Sequence, residues 1–211
     1  MSQVINTNQG DYVFEPKFFA TGGKLIDKVV SKENLFLFKS VMEVNGIPFS
    51  LAYGTLLGAI RDKDFITHDE DTDVAILKED ESAFLSVLFA LQEKGFVVGR
   101  YEDGLLSVVR DGEYIDIYIF KKAAFGYRKF GRTVLKEKYL LDVVECNFLG
   151  GVFAVPREHI NYLLDHYGVE WMTPIKGAHA CNPDLSQRFS RYLKCNFPRL
   201  FVILKNIKNW V

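Results

Sequence analysis

The feature that most constrains this chain is an acidic stretch that leads directly into an apolar run. Asp69, Asp71 and Asp73 alternate with other residues, and the run Val74–Leu77 follows. Side chains two residues apart on an extended backbone project from the same face, so the spacing predicts a buried strand that carries carboxylates at its start. Like charges so close together repel one another unless a cation lies among them. Hard divalent ions such as Mg²⁺ bind oxygen ligands and often bridge to substrate phosphates, so the stretch predicts a metal and phosphate site.

Composition places the chain among ordinary globular proteins. It has 211 residues, of which 48% are hydrophobic and 25% charged, enough apolar material for the core of one domain. A net charge of −1 gives no general attraction to nucleic acid, so we expect no nucleic-acid partner. The three cysteines, Cys146, Cys181 and Cys195, are widely spaced and odd in number, which favours reduced thiols. Without a signal-peptide pattern or an apolar run of ~20 residues, we expect a cytoplasmic protein.

Hydrophobic periodicity along the chain alternates between the helical and the extended pattern. Asp111-Gly112 and Gly150-Gly151 are turn signals between apolar segments, which predicts two hairpins. The expected fold class is α+β, a mixed sheet flanked by helices. One or two helices are expected between residue 25 and Gly46, and further helices over 55–61, over 80–94 and from Pro156 to about 167. Strands are expected over 48–53, 73–77, 96–101, 105–110, 113–120, 143–148 and 152–155.

The two ends of the chain differ from its centre. We expect one domain over residues 1–184, with an irregular lead-in over 1–23 where glycines and a proline break the pattern. The remaining segment, 185–211, has six basic residues, no acidic ones and interleaved aromatic side chains. Either it is a terminal helix that packs on the domain, or it is a basic amphipathic helix that contacts an anionic membrane surface. Pro198 would interrupt a single helix there.

Two further features extend the predicted acidic site. Gly54-Thr55 stands at a strand-to-helix junction, where backbone N–H groups and a hydroxyl can bind phosphate. Asp116 is a lone acid in the apolar segment Tyr114–Tyr118 of a predicted strand, where an unpaired charge is costly. A metal ion or a reacting hydroxyl beside Asp71 and Asp73 would explain its presence. The alternative is that Asp116 lies on a solvated face of the strand.

A cation and an imidazole lie close to this stretch in sequence. The planar guanidinium of Arg61 suits bidentate contact with phosphate, although it can equally form a salt bridge with Asp62 or Asp69. His68 either contacts a phosphate or hydrogen-bonds to the neighbouring carboxylates.

Together these motifs resemble a known group of enzymes. A Gly-Thr turn, Asp-x-Asp and a third aspartate on a later strand are similar to the nucleotidyltransferase-fold superfamily. The segments 53–61 and 65–73 resemble the LicD-type phosphotransferase family more narrowly, to which the fukutin-type proteins are related. The pattern Pro…Tyr-Leu…Tyr-Gly…Trp…Pro over 156–174 matches that family too, so the resemblance spans roughly 47–175. His68 stands where the family commonly has Trp, and Glu70 where Asp is frequent.

The resemblance implies a nucleotidyltransferase-like catalytic domain that uses Mg²⁺, with Mn²⁺ as an alternative. Its reaction would move a phospho-substituent from a CDP-linked donor, such as CDP-choline or CDP-ribitol, to a hydroxyl of a cell-surface glycan. Capsule, teichoic acid or lipopolysaccharide built at the inner face of the membrane, often on a lipid, would be the acceptor. The implied metal ligands are Asp69, Asp71, Asp73 and Asp116; the implied catalytic residues are Asp71, Asp73 and Asp116; and the implied donor-binding residues are Gly54, Thr55, Arg61 and His68.

Two alternatives use the same residues. In nucleotidyl transfer, the same carboxylates would move a nucleoside monophosphate onto a small molecule. In a degenerate relative, the domain would bind a nucleotide or a partner without catalysis, and such a chain is expected to have lost part of its acidic set.

Overall fold

The computed structural model of the chain describes residues 2–17, 24–131 and 133–174. The predicted segment 185–211 and two of the cysteines, Cys181 and Cys195, lie outside these ranges. The strands are β1 (Gln3–Thr7), β2 (Gly10–Phe14), β3 (Ser50–Leu51), β4 (Thr72–Leu77), β5 (Val97–Glu102), β6 (Leu105–Arg110), β7 (Glu113–Ala123), β8 (Tyr127–Phe130), β9 (Thr133–Lys136), β10 (Val143–Phe148) and β11 (Gly151–Pro156). The helices are α1 (Lys28–Val44), α2 (Tyr53–Arg61), α3 (Glu81–Ser86), α4 (Leu88–Glu93), α5 (Lys138–Leu141) and α6 (His159–Tyr167).

A mixed sheet forms the centre of the described structure. Its strand order is β3-β4-β7-β6-β5, and the far end of β7 continues into the antiparallel pair β8 and β9. Strands β4 and β7 run parallel, and the other pairs of the sheet are antiparallel. β1–β2 and β10–β11 are separate hairpins. The predicted α+β class with a mixed sheet and flanking helices is therefore confirmed.

The core lies between the sheet and its helices. Along α1 the side chains of Leu35, Phe38 and Met42 are fully buried at helical spacing, and Asp27 caps the helix by accepting from the N–H groups of Val29 and Val30. Strand β4 is buried on both faces over residues 72–76, and its side chains from Val74 to Leu77 are apolar. The helical segment predicted before Gly46 is a single helix, α1, and the predicted strand at 73–77 is confirmed.

The irregular lead-in predicted for residues 1–23 is wrong over residues 3–14, which form the hairpin β1–β2. The side chains of Ile5, Tyr12 and Phe14 alternate into the core, a period of two that the glycine-rich context concealed. Thr7 closes the turn, since its hydroxyl donates to the carbonyl of Gly10 and accepts from the N–H of residue 9.

Two helix boundaries also differ from the predictions. The expected helix over 80–94 is interrupted at Val87, whose N–H bonds to Phe84 O at 3.1 Å, one residue short of the α-helical spacing. Pro156 does not open a helix but ends β11, opposite Val143, and α6 begins at His159. Proline has no N–H to donate, so the end of a strand accommodates it.

Candidate active site

The site lies on a single row that crosses four adjacent strands. Asp73 on β4 is opposite Asp116 on β7, Asp116 is opposite Ser107 on β6, and Ser107 is opposite Arg100 on β5. Residues in register across a sheet project from the same face. Asp73 and Asp116 are only 5% and 4% exposed, so two carboxylates lie side by side in the interior. Asp116 therefore does not lie on a solvated face of its strand, which was the alternative prediction.

Asp69 and Asp71 approach Asp73 from the segment before β4. One carboxylate oxygen from each of the three lies within 4.8 Å of the others. An all-oxygen carboxylate set of this kind is what Mg²⁺ and Mn²⁺ prefer. The predicted acidic stretch thus folds into one cluster, and its donor set fits a hard divalent ion.

The start of α2 fixes this cluster in place. The N–H of Gly54 donates to Asp73 Oδ2 at 2.8 Å, and the buried Thr55 Oγ1 accepts from the N–H of Asp73 at 2.8 Å. A Cβ at position 54 would lie 2.3 Å from Asp69 Oδ2. Glycine is therefore required for the close approach of Asp69. Both predicted residues reach the site by holding Asp73, Gly54 at its carboxylate and Thr55 at its backbone N–H, and phosphate binding by them stays a prediction.

The raised pKa values of these aspartates indicate that a bound cation would stabilise their ionised forms. Burial raises the pKa of Asp73 well above its usual range, and the charges of Asp71, Asp69 and Asp116 raise it further. Burial likewise raises the pKa of Asp71 well above its usual range, with Asp116 and Asp69 adding to it. Burial also raises the pKa of Asp69, although the N–H of Glu70, which donates to its Oδ1, and nearby His68 oppose this. Without a cation, these groups resist ionising together.

Asp116 differs from the other carboxylates because the protein itself supplies its cation. Arg100 Nη2 lies 2.9 Å from Asp116 Oδ2 and 3.1 Å from Oδ1, and the Ser107 hydroxyl donates to Oδ1. Burial raises the pKa of Asp116, whereas Arg100, Ser107 and Tyr118 lower it. The Tyr118 hydroxyl also hydrogen-bonds with Asp73, and burial raises the pKa of that phenol.

The sequence-based prediction missed Arg100, Ser107 and Tyr118. Tyr118 stands two residues after Asp116, so the period of the strand places it on the same face. No comparable signal marks Arg100 or Ser107, since their place depends on the pairing register of three strands.

Arg61 and His68 are placed less centrally. Arg61 forms a fork with Asp62, its Nε and Nη2 each 2.8 Å from a carboxylate oxygen, and its Nη1 lies 3.3 Å from Trp171 O. This confirms the salt bridge that was one of its two predicted roles, and phosphate binding stays a prediction. His68 is half-buried next to Asp69, and its contact with a phosphate also stays a prediction.

Comparison with known proteins shows which family the chain matches. The family model described as LicD/FKTN/FKRP, nucleotidyltransferase domain, matches residues 46–158, which include every predicted site residue. Ribitol-5-phosphate transferase FKTN of Mus musculus is 32% identical over 158 residues, 69% of this chain and 34% of that protein. Its Homo sapiens counterpart is 29% identical with the same coverage. The chain therefore spans about a third of the length of these relatives.

A solved structure with a related fold is the antibiotic-resistance factor ANT(2'')-Ia. It shares 13% sequence identity at a TM-score of 0.51, over 87% of this chain and 100% of that one. This similarity concerns the fold alone. With the nucleotidyltransferase domain of the family model, it confirms the predicted nucleotidyltransferase-like fold.

Proposed function

The chain belongs to the LicD/FKTN/FKRP family, and we propose that it is a Mg²⁺-dependent phosphotransferase. The proposed reaction moves a phospho-substituent from a CDP-linked donor to a hydroxyl of a cell-surface glycan. The proposal rests mainly on one observation: the carboxylates of Asp69, Asp71 and Asp73 lie close together near the start of α2. Asp116 lies beside Asp73 on the neighbouring strand. Because the similar FKTN proteins are ribitol-5-phosphate transferases, we propose a polyol phosphate as the transferred group, with phosphocholine second.

The acidic cluster is the proposed binding site for the ion and the donor diphosphate. Asp69, Asp71 and Asp73 would hold Mg²⁺, or Mn²⁺ in its place, and the bound ion would neutralise charge on the donor diphosphate and on the departing nucleotide. Gly54 and Thr55 keep Asp73 oriented from both its side chain and its backbone. Preorganised charge of this kind is usually the largest contribution to such a reaction.

Asp116 is the proposed proton acceptor. The acceptor hydroxyl would attack the phosphorus atom of the transferred group, its proton would pass to Asp116, and the bond from phosphorus to the CMP oxygen would break. Burial raises the pKa of the Asp116 carboxyl and so makes its carboxylate a stronger proton acceptor, while Arg100, Ser107 and Tyr118 oppose this rise and favour the ionised form. The products are a phosphodiester on the glycan and free CMP.

The setting of the reaction is also a proposal. We place the catalytic domain within residues 1–184 and the glycan acceptor, lipid-linked or free, at the inner face of the membrane. Among the described residues, no helix is long and apolar enough to cross a bilayer. Peripheral contact through the basic segment 185–211 would be tested by flotation with anionic liposomes, and failure of the full-length chain to float would remove it.

Ligand-induced thermal stabilisation tests the donor class. The panel is CDP-ribitol, CDP-choline, CDP and ATP, each with and without Mg²⁺, on the wild type and Asp71→Asn. A ligand at 100 times its dissociation constant adds about 2.7 kcal/mol to stability, which a melting curve resolves. We expect a Mg²⁺-dependent shift with a CDP-linked alcohol that Asp71→Asn lacks. A shift with ATP alone would favour nucleotidyl transfer, and a metal-independent shift equal in both proteins would favour a binding module.

A further inference from the structure

Arg100 reaches the site because β5 is irregular. The pairing of β5 with β6 shifts between Val98 and Arg100, so Gly99 forms a bulge. A bulge turns the following side chain and is common beside active sites. The carbonyl of Gly99 accepts from the N–H of Lys17 at 2.8 Å, so the segment after the N-terminal hairpin fixes the bulge.

The Asp116 carboxylate is held by donors from the protein. Arg100 Nη2 contacts both of its oxygens and Ser107 donates to one, while the Tyr118 hydroxyl hydrogen-bonds with both Asp116 and Asp73 and has one proton to share between them. The Ser107 hydroxyl in turn accepts from Arg100 Nε at 3.1 Å and Nη2 at 3.0 Å, which locks the guanidinium in place. The side chains of Arg100 and Asp116 are 27% and 5% exposed, so solvent screens this ion pair weakly.

The other carboxylates have a different environment. Asp69, Asp71 and Asp73 converge within 4.8 Å, and Asp116 is not a member of that set. We propose that Arg100 is a positioning residue that acts as a fixed cation on Asp116, so that the site binds one divalent ion and Asp116 is not a ligand. This inference deepens the proposed function and rests on it, because it reserves Asp116 for the acceptor proton. It also changes the expectation that all four aspartates bind metal.

Counting bound Mn²⁺ by electron paramagnetic resonance, with and without CDP, tests the inference. We expect one ion per chain in the wild type and loss of that ion in Asp71→Asn. In Asp116→Asn we expect the count to stay at one, while transfer falls by about 10²–10⁴-fold, the usual contribution of a general base. Two ions or none in the wild type, or loss of the ion in Asp116→Asn, would overturn the inference.

Substitution of Arg100 supplies the complementary test. Arg100→Met removes the fixed charge, so we expect a second Mn²⁺ per chain, and Arg100→Met with Asp116→Asn should return to one. Arg100→Lys keeps the charge and should stay at one. Arg110→Met is the matched control, because Arg110 lies on the neighbouring strand but pairs with Glu33 and Asn34, away from the acidic cluster.

One bound Mn²⁺ per chain in Arg100→Met would contradict the inference. If the methionine variant does not fold, Arg100→Lys keeps the inference testable. The ion count needs no turnover, so it is independent of the proposed activity. If CDP does not change the affinity for Mn²⁺, that result would argue against a CDP-linked donor. The number of bound Mn²⁺ ions would still decide the role of Arg100.

Discussion

At the scale of single residues, Gly54 shows how closely the site is packed. A Cβ there would lie 2.3 Å from Asp69 Oδ2 but would meet no backbone atom at such a distance. Gly54→Ala should therefore displace a movable carboxylate and leave the fold intact. We expect its Mn²⁺ affinity to fall by about 10- to 100-fold, the usual range for disturbing the support of a metal ligand. Unchanged affinity in a titration, with an unchanged melting temperature, would contradict this account of Gly54.

The clustered carboxylates also predict how stability depends on pH. The pKa values of Asp69, Asp71 and Asp73 are raised in the folded protein, so the folded state holds protons that the unfolded state releases. The stability they contribute is present below the ordinary carboxyl pKa of about 4 and is lost as pH rises through the raised values. In EDTA the melting temperature should therefore fall as the pH rises above about 4. Addition of Mg²⁺ should restore the melting temperature.

Asp71→Asn is the control for that pH dependence. It removes one of the mutually repelling charges, so at pH 8 in EDTA it should melt at a higher temperature than the wild type. With Mg²⁺ the order should reverse, because the variant has lost a ligand. If both proteins melt alike in EDTA from pH 4 to 8, the carboxylates do not carry the repulsion described here.

At the scale of elements, α2 is held by a second close approach. A Cβ on Gly58 would lie 2.5 Å from the backbone carbonyl oxygen of Asp64 and 3.3 Å from the N–H nitrogen of Ile66. Backbone cannot move aside cheaply, so Gly58→Ala should lower the free energy of unfolding by about 1–3 kcal/mol. Urea denaturation measures this, with Gly54→Ala as the matched control. Equal stability of the two variants would show that the segment after α2 adapts freely.

Elements with a strong local signal were predictable from the sequence. The apolar run of β4 and the Asp111-Gly112 turn, whose residues have φ of 51° and 79°, are local features, and both are confirmed. The hairpin β1–β2 was missed because its apolar residues are few and glycine-flanked. Arg100 and Ser107 were not predictable, because a bulge and the antiparallel register bring them to Asp116. Sequence spacing therefore located the carboxylates but not the side chains that hold one of them.

At the scale of the whole molecule, the site depends on elements from distant parts of the chain. The ring of Tyr53, at the start of α2, lies 4.5 Å from that of Tyr118 and 4.9 Å from that of His166 on α6. Helix α6 follows the segment matched by the family model, which ends at residue 158. The aromatic contacts therefore join a downstream helix to the strand that carries Asp116.

The most direct test of the proposed phosphotransfer is identification of its products. The full-length chain would be incubated with Mg²⁺, CDP-ribitol or CDP-choline, and a panel of glycan acceptors, and analysed by mass spectrometry beside Asp71→Asn. We predict free CMP and an acceptor heavier by the phospho-substituent, in the wild type only. An acceptor carrying a nucleoside monophosphate, or CMP release that is equal in Asp71→Asn, would contradict it.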